Sequence, residues 1–303
     1  MLASLIGFYI TSSLQPILPL NTYEELPILE KATFGANRLD LSGLLSVSPI
    51  PIKRDGFVSP VVEASSAIIM DNQTGEILYE KNAHEKRSIA SITKLMTTII
   101  ILEENNLDEV VTISPKVKYT DGSEMLLKTG EKMTVENLLY GLVIHSANDA
   151  AIALAEFNAG SEKAFVEKMN KKALELGLLN THFQNPVGYD SAMNYSSAYD
   201  VARLSRYSYQ KSFIKKTAPI KEYEVKSVDN AYTHKLKSTN ELLDSYLNIK
   251  GLKTGKTPKA GLCNVSVAEN ENGSDIITVV LNSPARFKES KIMIDWAFRA
   301  FIW

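Results

Sequence analysis

A serine and a lysine three residues apart open an apolar stretch, Ser91-Ile92-Thr93-Lys94. On a helix this spacing puts both side chains on one face, one turn apart. A serine hydroxyl is a poor nucleophile until a neighbouring base takes its proton. An amine serves as that base at neutral pH only when burial or nearby positive charge lowers its pKa. A buried helix start supplies the burial. It also supplies free backbone N–H groups, one of which can face a developing oxyanion.

The pair is weak alone, because Ser212-Phe213-Ile214-Lys215 matches it among Lys211, Lys215 and Lys216 on a solvated stretch. Two further patterns each occur twice: Ser146-Ala147-Asn148 with Ser238-Thr239-Asn240, and Lys128-Thr129-Gly130 with Lys253-Thr254-Gly255. Context selects one of each. Ser146 to Asn148 forms a polar break between two apolar helices, where a hydroxyl and an amide can reach a cleft. Lys253 to Gly255 leads into a late hairpin, and Gly255 and Gly261 allow a ligand backbone to approach that strand. Lys128 to Gly130 lies in a polar run and reads as a turn.

Other chemistries lack their residues. There is no G-x-S-x-G elbow, P-loop or G-x-G-x-x-G, and no local signature of a histidine-based serine triad. One cysteine, Cys263, excludes an internal disulfide and a redox pair. His84, His145, His182 and His234 have no metal-ligand spacing, so no metal site is expected. With Lys plus Arg at 33 and Asp plus Glu at 35, the net charge of -2 gives no footprint for nucleic acid.

These residues need positioning elements. Ser65 to Met70, a polar turn at 71–75 and Glu76 to Tyr79 read as strand, turn, strand. Ile92, Leu95, Met96, Ile99, Ile100 and Leu102 give a helix with a wide apolar face. Val135 to Ile144 and Ala150 to Phe157 are two more helices. Ser161 and Gly177 bound another, and Ser197-Ala198-Tyr199-Asp200 has the form of a capping box before the next. Leu262 to Ala268 and Ile276 to Leu281 flank a polar loop as a hairpin, and Ala285 to Ile302 is an amphipathic terminal helix. This order predicts a mixed α/β (α+β) fold: one antiparallel sheet built from both chain ends, helices on its faces, and a mostly helical middle.

The first sixty residues are different. Met1 to Leu20 is apolar and suits a secretory signal or an anchor, although no Lys or Arg precedes the run and no clear A-x-A site follows it. Six of the eleven prolines lie at or before position 60, and residues 20 to 60 lack a sustained period. The expected organisation is a signal-like or anchor segment at 1–20, a Pro-rich linker at 21–63 and a catalytic domain at 64–303.

In order along the chain, Ser91…Lys94, Ser146…Asn148 and Lys253-Thr254-Gly255 are far more specific together than singly. The triple is that of class A β-lactamases and penicillin-binding proteins. From about Ala64 to Phe301 the chain resembles the low-molecular-mass penicillin-binding proteins, the serine-type D-alanyl-D-alanine carboxypeptidases of the peptidase S11 kind. Ser91-Ile92-Thr93-Lys94-Leu95-Met96-Thr97, Ser146-Ala147-Asn148-Asp149-Ala150, Phe183-Gln184-Asn185-Pro186-Val187-Gly188 and Lys253-Thr254-Gly255-Lys256-Thr257 carry the likeness.

The resemblance implies a β-lactamase/transpeptidase-like fold and an extracytoplasmic hydrolase of cell-wall biosynthesis. Its substrates would be peptidoglycan stem peptides, with β-lactam antibiotics as covalent inhibitors and no cofactor needed. By it, Ser91 attacks the carbonyl between two terminal D-alanines and Lys94 is its base. Ser146 relays a proton to the leaving amine, with the Lys253 cation nearby. Asn148 binds the substrate amide, and Thr254 with Arg286 holds the terminal carboxylate. The oxyanion sits between backbone N–H groups of Ser91 and Lys256, beside Gly255. Plainer roles stand beside these: Ser91 or Asn148 as helix caps, Arg286 as a solvated charge, His145 in packing, and Cys263 as a small buried strand residue.

Several residues depart from the pattern. Lys256 replaces the usual aromatic residue or histidine, which bears on substrate preference. Lys250-Gly251 stands where Asp-Gly is frequent. The chain ends soon after its terminal helix, so membrane association is expected through Met1 to Leu20 or another protein. Three rival readings remain. A D,D-endopeptidase of cross-links shares all the motifs. A class A-like β-lactamase would need a deacylating carboxylate, for which Glu175 with Asn180 is badly spaced. A non-catalytic cell-wall-binding protein would not need three intact motifs.

Overall fold

The computed structural model describes residues 50–303. The signal-like segment at 1–20, and the Pro-rich stretch as far as residue 49, lie outside the described residues. The elements run β1 (Ile52–Lys53), β2 (Ser66–Asp71), β3 (Ile77–Lys81), α1 (Lys94–Glu104), β4 (Val110–Thr112), β5 (Lys132–Thr134), α2 (Val135–Ile144), α3 (Asn148–Ala159) and α4 (Glu162–Glu175). They continue with α5 (Ala198–Tyr209), α6 (Ser212–Thr217), β6 (Glu222–Lys226), β7 (Thr233–Lys237), β8 (Ile249–Thr257), β9 (Gly261–Glu269), β10 (Asp275–Ser283), α7 (Arg286–Ala300) and β11 (Phe301–Ile302).

The central sheet has the order β3-β2-β10-β9-β8, every pair antiparallel, so both chain ends contribute to it. Its central strands are buried on both faces. In β2, Ile68 and Met70 enter the core shared with the helical middle, while Ala67 and Ile69 face the core under α7. In β10, Ile277 and Val279 follow the first pattern and Ile276 and Val280 the second. Each isoleucine so buried contributes about 1.5–3 kcal/mol of transfer free energy. The period of two along each strand is what divides the cores.

Local signals explain the ends of the elements. Asp71 Oδ1 accepts from Thr74 N at 2.7 Å and Thr74 Oγ1 at 2.6 Å, closing the β2–β3 turn. Ser161 caps α4 through Ala164 N. Ser197 Oγ accepts from Asp200 N at 3.1 Å, but Asp200 does not complete a capping box. Its carboxylate instead accepts from Asn180 N and Thr181 Oγ1, tying the end of the α4 region to α5.

Two features differ from the sequence expectation. Contact with the domain begins before Ala64. Ile52 and Lys53 pair with Ile302 and Phe301, Arg54 N donates to Ala300 O, and Trp296 Nε1 donates to Val58 O. Backbone hydrogen bonding to the last helix and strand holds this part of the expected linker, whatever its proline content. The sequence reading also omitted the small pairs β4–β5 and β6–β7. No helix among the described residues is long and apolar enough to cross a membrane.

Candidate active site

The serine does not open an α-helix directly. Ala90 to Thr93 form a 3₁₀ turn, and α1 begins at Lys94. Ala90 has φ +49°, a conformation that strains an alanine by about 1–2 kcal/mol. Two glycines press this turn into place. A β-carbon on Gly188 would lie 2.0 Å from Ala90 O, and one on Gly255 would lie 2.9 Å from Ile89 O and 3.1 Å from Ser91 N. The Ser91 turn therefore packs between the 183–190 loop and the edge strand β8 because neither neighbour carries a side chain at the contact.

Ser91 lies inside this turn, whose cap position is Ile89, and its Oγ lies 2.9 Å from Lys94 Nζ. Lys94 is 1% exposed and donates to Val187 O at 2.7 Å. Its pKa falls well below the ordinary lysine range, first through burial and then through the Lys253 charge, with Asp149 opposing weakly. Lys253 is buried on β8 and is pushed down to about 7 by burial and by the Arg286 guanidinium. Its Nζ donates to Thr254 O at 3.2 Å. Ser91 Oγ thus contacts one buried amine, that of Lys94, whose charge is opposed by the second buried amine, Lys253, which in turn feels the Arg286 guanidinium. Burial and the Lys253 charge both shift the balance toward the unprotonated amine beside Ser91.

Ser146 occupies the break between α2 and α3 with φ +61° and is buried. Asn148 begins α3, but Ala147 holds the cap position. The Asn148 backbone N donates to Ser123 O at 2.7 Å and its Nδ2 donates to Asp121 O. Because that partner is a carbonyl, the amide nitrogen faces it. Asn148 Oδ1 is buried without a hydrogen-bond partner among the described residues. It is an acceptor ready for an incoming N–H.

Ser91, Ser146, Asn148, Gly255, Lys256 and Arg286 line a groove of about 440 Å³. Thr254 also lines it, with Oγ1 2.6 Å from Thr239 Oγ1. Arg286, the first residue of α7, donates through Nη1 to Gly255 O at 2.8 Å and lies over the Phe287 ring. It is a groove residue rather than a freely solvated one. His145 Nδ1 meets Lys237 O of β7 at 3.0 Å, a contact that ties the end of α2 to that strand. Cys263 is buried, and burial pushes its thiol up to about 11. Glu175 is exposed on α4 beside Lys171 and Lys172 and does not line the groove.

Some supporting groups were not read from the sequence. Asn185 Oδ1 accepts from the N–H groups of Val187, Gly188 and Tyr189, which shapes the loop that presents Val187 O to Lys94. The Asn-Pro-Val-Gly spelling was the available signal for this turn. Asp121 and Ser123 act on Asn148 through backbone oxygen, to which side-chain type is blind. Thr239 lies in the second Ser-x-Asn, whose spelling alone gives no sign that it reaches the groove.

Known proteins resemble this chain in sequence and in fold. The profile of the D-alanyl-D-alanine carboxypeptidase family, peptidase S11, matches residues 55–285. The chain is 38% identical over 248 residues to D-alanyl-D-alanine carboxypeptidase DacF of Bacillus subtilis strain 168, covering 79% of this chain and 63% of that protein. The crystal structure of the Streptomyces K15 DD-transpeptidase superposes with a TM-score of 0.76 at 34% identity, covering 80% of this chain and 99% of that one. Penicillin binding protein 6B from Escherichia coli superposes with a TM-score of 0.72 at 34% identity, covering 79% and 78% of the two chains.

A mixed fold with a serine–lysine pair at the edge of an antiparallel sheet is that of the DD-peptidases. This chain belongs to the peptidase S11 family of D-alanyl-D-alanine carboxypeptidases. Its match spans a little under two thirds of the Bacillus relative's length.

Proposed function

We propose that the chain is a serine D,D-carboxypeptidase that removes the terminal D-alanine from peptidoglycan stem pentapeptides. The 2.9 Å contact between Ser91 Oγ and the buried amine of Lys94 carries this reading. Ser91 Oγ bonds to the penultimate D-alanine carbonyl carbon as Lys94 takes the hydroxyl proton. Backbone N–H groups of Ser91 and Lys256 receive the oxyanion. The C–N bond breaks, and the leaving D-alanine amine takes a proton through Ser146 while Lys253 holds positive charge beside it. Water then attacks the acyl-enzyme and restores the Ser91 hydroxyl.

Substrate groups have matching partners. Asn148 Oδ1 accepts the backbone N–H of the peptide, and its burial without a partner raises the value of that bond. Thr254, with Arg286 behind it, holds the terminal carboxylate. The same groove accepts β-lactams, whose strained amide acylates Ser91 and whose carboxylate takes the D-alanine position. A peptidoglycan substrate implies that the protein acts outside the cytoplasm, and the apolar Met1 to Leu20 segment is a candidate for membrane attachment.

Digestion of a defined pentapeptide and of cross-linked dimers, with products weighed by mass spectrometry, tests the reading. Release of D-alanine from the monomeric stem, lost in Ser91→Ala, is the expected result. Cleavage of dimers with no release from monomers would replace carboxypeptidase with endopeptidase. Penicillin labelling without release from either would leave a binding protein.

A further inference from the structure

The β6–β7 hairpin and the two residues that follow it join both walls of the groove. On the helical side Lys237 O lies 3.0 Å from His145 Nδ1, one residue before Ser146. On the sheet side Thr239 Oγ1 lies 2.6 Å from Thr254 Oγ1. Between these, His234 of β7 is buried and reaches the 121–131 loop. Its Nδ1 is 2.7 Å from Met125 O, and its Nε2 is 2.6 Å from Glu131 Oε1. Glu131 is also buried, and its Oε2 accepts from Lys128 N at 2.9 Å.

That loop is what orients Asn148. Asp121 O takes the Asn148 amide, and Ser123 O takes the Asn148 backbone N–H. Met125 N and Leu127 N donate to the Asp149 carboxylate at 3.1 and 3.0 Å. Met125 thus joins the two systems, with its oxygen on His234 and its nitrogen on the residue after Asn148.

Proton counting makes the latch specific. Both imidazole nitrogens face oxygens, a carbonyl and a carboxyl, whereas neutral imidazole has one N–H. Two protons must bridge the three groups: either imidazolium faces carboxylate, or neutral imidazole accepts from a carboxylic acid. Removing one would set lone pairs against each other in a dry site, where an unmade hydrogen bond is expensive. An apolar residue would fill the same space without linking strand to loop.

We propose that His234 and Glu131 are positioning residues for the acylation step. Their hydrogen-bonded pair latches the 121–131 loop to β7, and the loop's carbonyls hold the Asn148 amide so that Oδ1 meets the substrate N–H. This inference rests on the active-site reading above, but it can fail by itself.

A double-mutant cycle in the full chain tests it. The probe is a fluorescent penicillin, and the readout is the second-order acylation rate per mole of folded protein. His234→Phe should slow acylation on the order of tenfold, the scale of a small displacement of a positioning group. In an Asn148→Ala background the same change should alter the rate by roughly twofold or less, since the group it positions is gone. Equal slowing in both backgrounds would overturn the proposal.

Should His234→Phe fail to fold, Glu131 gives a second route. Glu131→Gln keeps an acceptor for Lys128 N and an N–H donor for His234 Nε2, so it should retain the parent rate, while Glu131→Ala should lose it. Equal rates in those two variants would also overturn the proposal. A Ser91→Ala chain labelled as fast as the parent would be a different failure, that of the active-site reading, and would remove the latch's purpose with it.

Discussion

A β-carbon on Gly188 would stand 2.0 Å from the carbonyl oxygen of Ala90. No contact of that length survives, and Gly188 also has φ +95°. Gly188→Ala must therefore push the 183–190 loop away from the Ser91 turn. A displacement near 1 Å at the nucleophile lowers a rate by roughly a hundredfold. Penicillin acylation should fall by about that factor. Gly255→Ala, whose added carbon would meet Ile89 O at 2.9 Å, should lose less. The reverse order would contradict the packing account.

Lys253 links pH to both stability and rate. Its folded-state pKa, about 7, lies below that of an unfolded lysine. The folded state thus disfavours the charged amine. The penalty is full below pH 7 and is relieved as pH rises from about 7 toward about 10.4, the unfolded value. Lys253→Met should stabilise the fold by on the order of a few kcal/mol in the acid range, with the gain shrinking toward the alkaline end. Urea unfolding at several pH values checks this. A gain that grows with pH would reverse the sign and refute it.

The same substitution acts on Lys94, whose pKa the Lys253 charge helps to depress. Without that charge the Lys94 ammonium is easier to keep. The acid limb of the residual acylation rate should therefore move to higher pH. Stopped-flow acylation across the pH range measures it, and a limb that moved to lower pH would mean that Lys94 is not the titrating base.

What the sequence revealed and concealed has a physical pattern. Three short motifs were visible because the proposed chemistry restricts side-chain type at Ser91, Lys94, Ser146, Asn148 and Lys253. The sheet was visible because burial on both faces demands long apolar strands such as β2 and β10. By contrast, β6 and β7 bury little besides Val225, His234 and Leu236, too few residues to show a period. The 121–131 loop works largely through backbone oxygens and nitrogens. Ala90 at positive φ also left no mark, since no glycine stands there to announce it.

Slow deacylation is expected to separate this chain from a β-lactamase. Glu175 pairs with Lys171 and Lys172 on the surface of α4, away from the groove-lining residues. Glu175→Gln should leave the lifetime of the penicilloyl-enzyme unchanged, and that lifetime should far exceed the acylation time at saturating drug. Decay of the fluorescent adduct after removal of free penicillin measures it. Rapid turnover that slows in Glu175→Gln would restore the β-lactamase reading.

Arg286 should matter most for carboxylate-bearing substrates. It donates to Gly255 O beside the groove, and after burial its charge is the second cause that depresses the Lys253 pKa. Arg286→Gln should raise KM for a peptide ending in free D-alanine more than for its C-terminal amide. Equal increases for both peptides would reduce Arg286 to a brace for β8.

The central claim is that Ser91, activated by Lys94, is the nucleophile. Mass spectrometry of the penicillin-treated full chain, with peptide mapping, addresses it most directly. The expected result is one penicilloyl adduct on the peptide holding Ser91, absent in Ser91→Ala and severely slowed in Lys94→Met. An adduct on another residue, or an undiminished rate in Lys94→Met, would contradict the account.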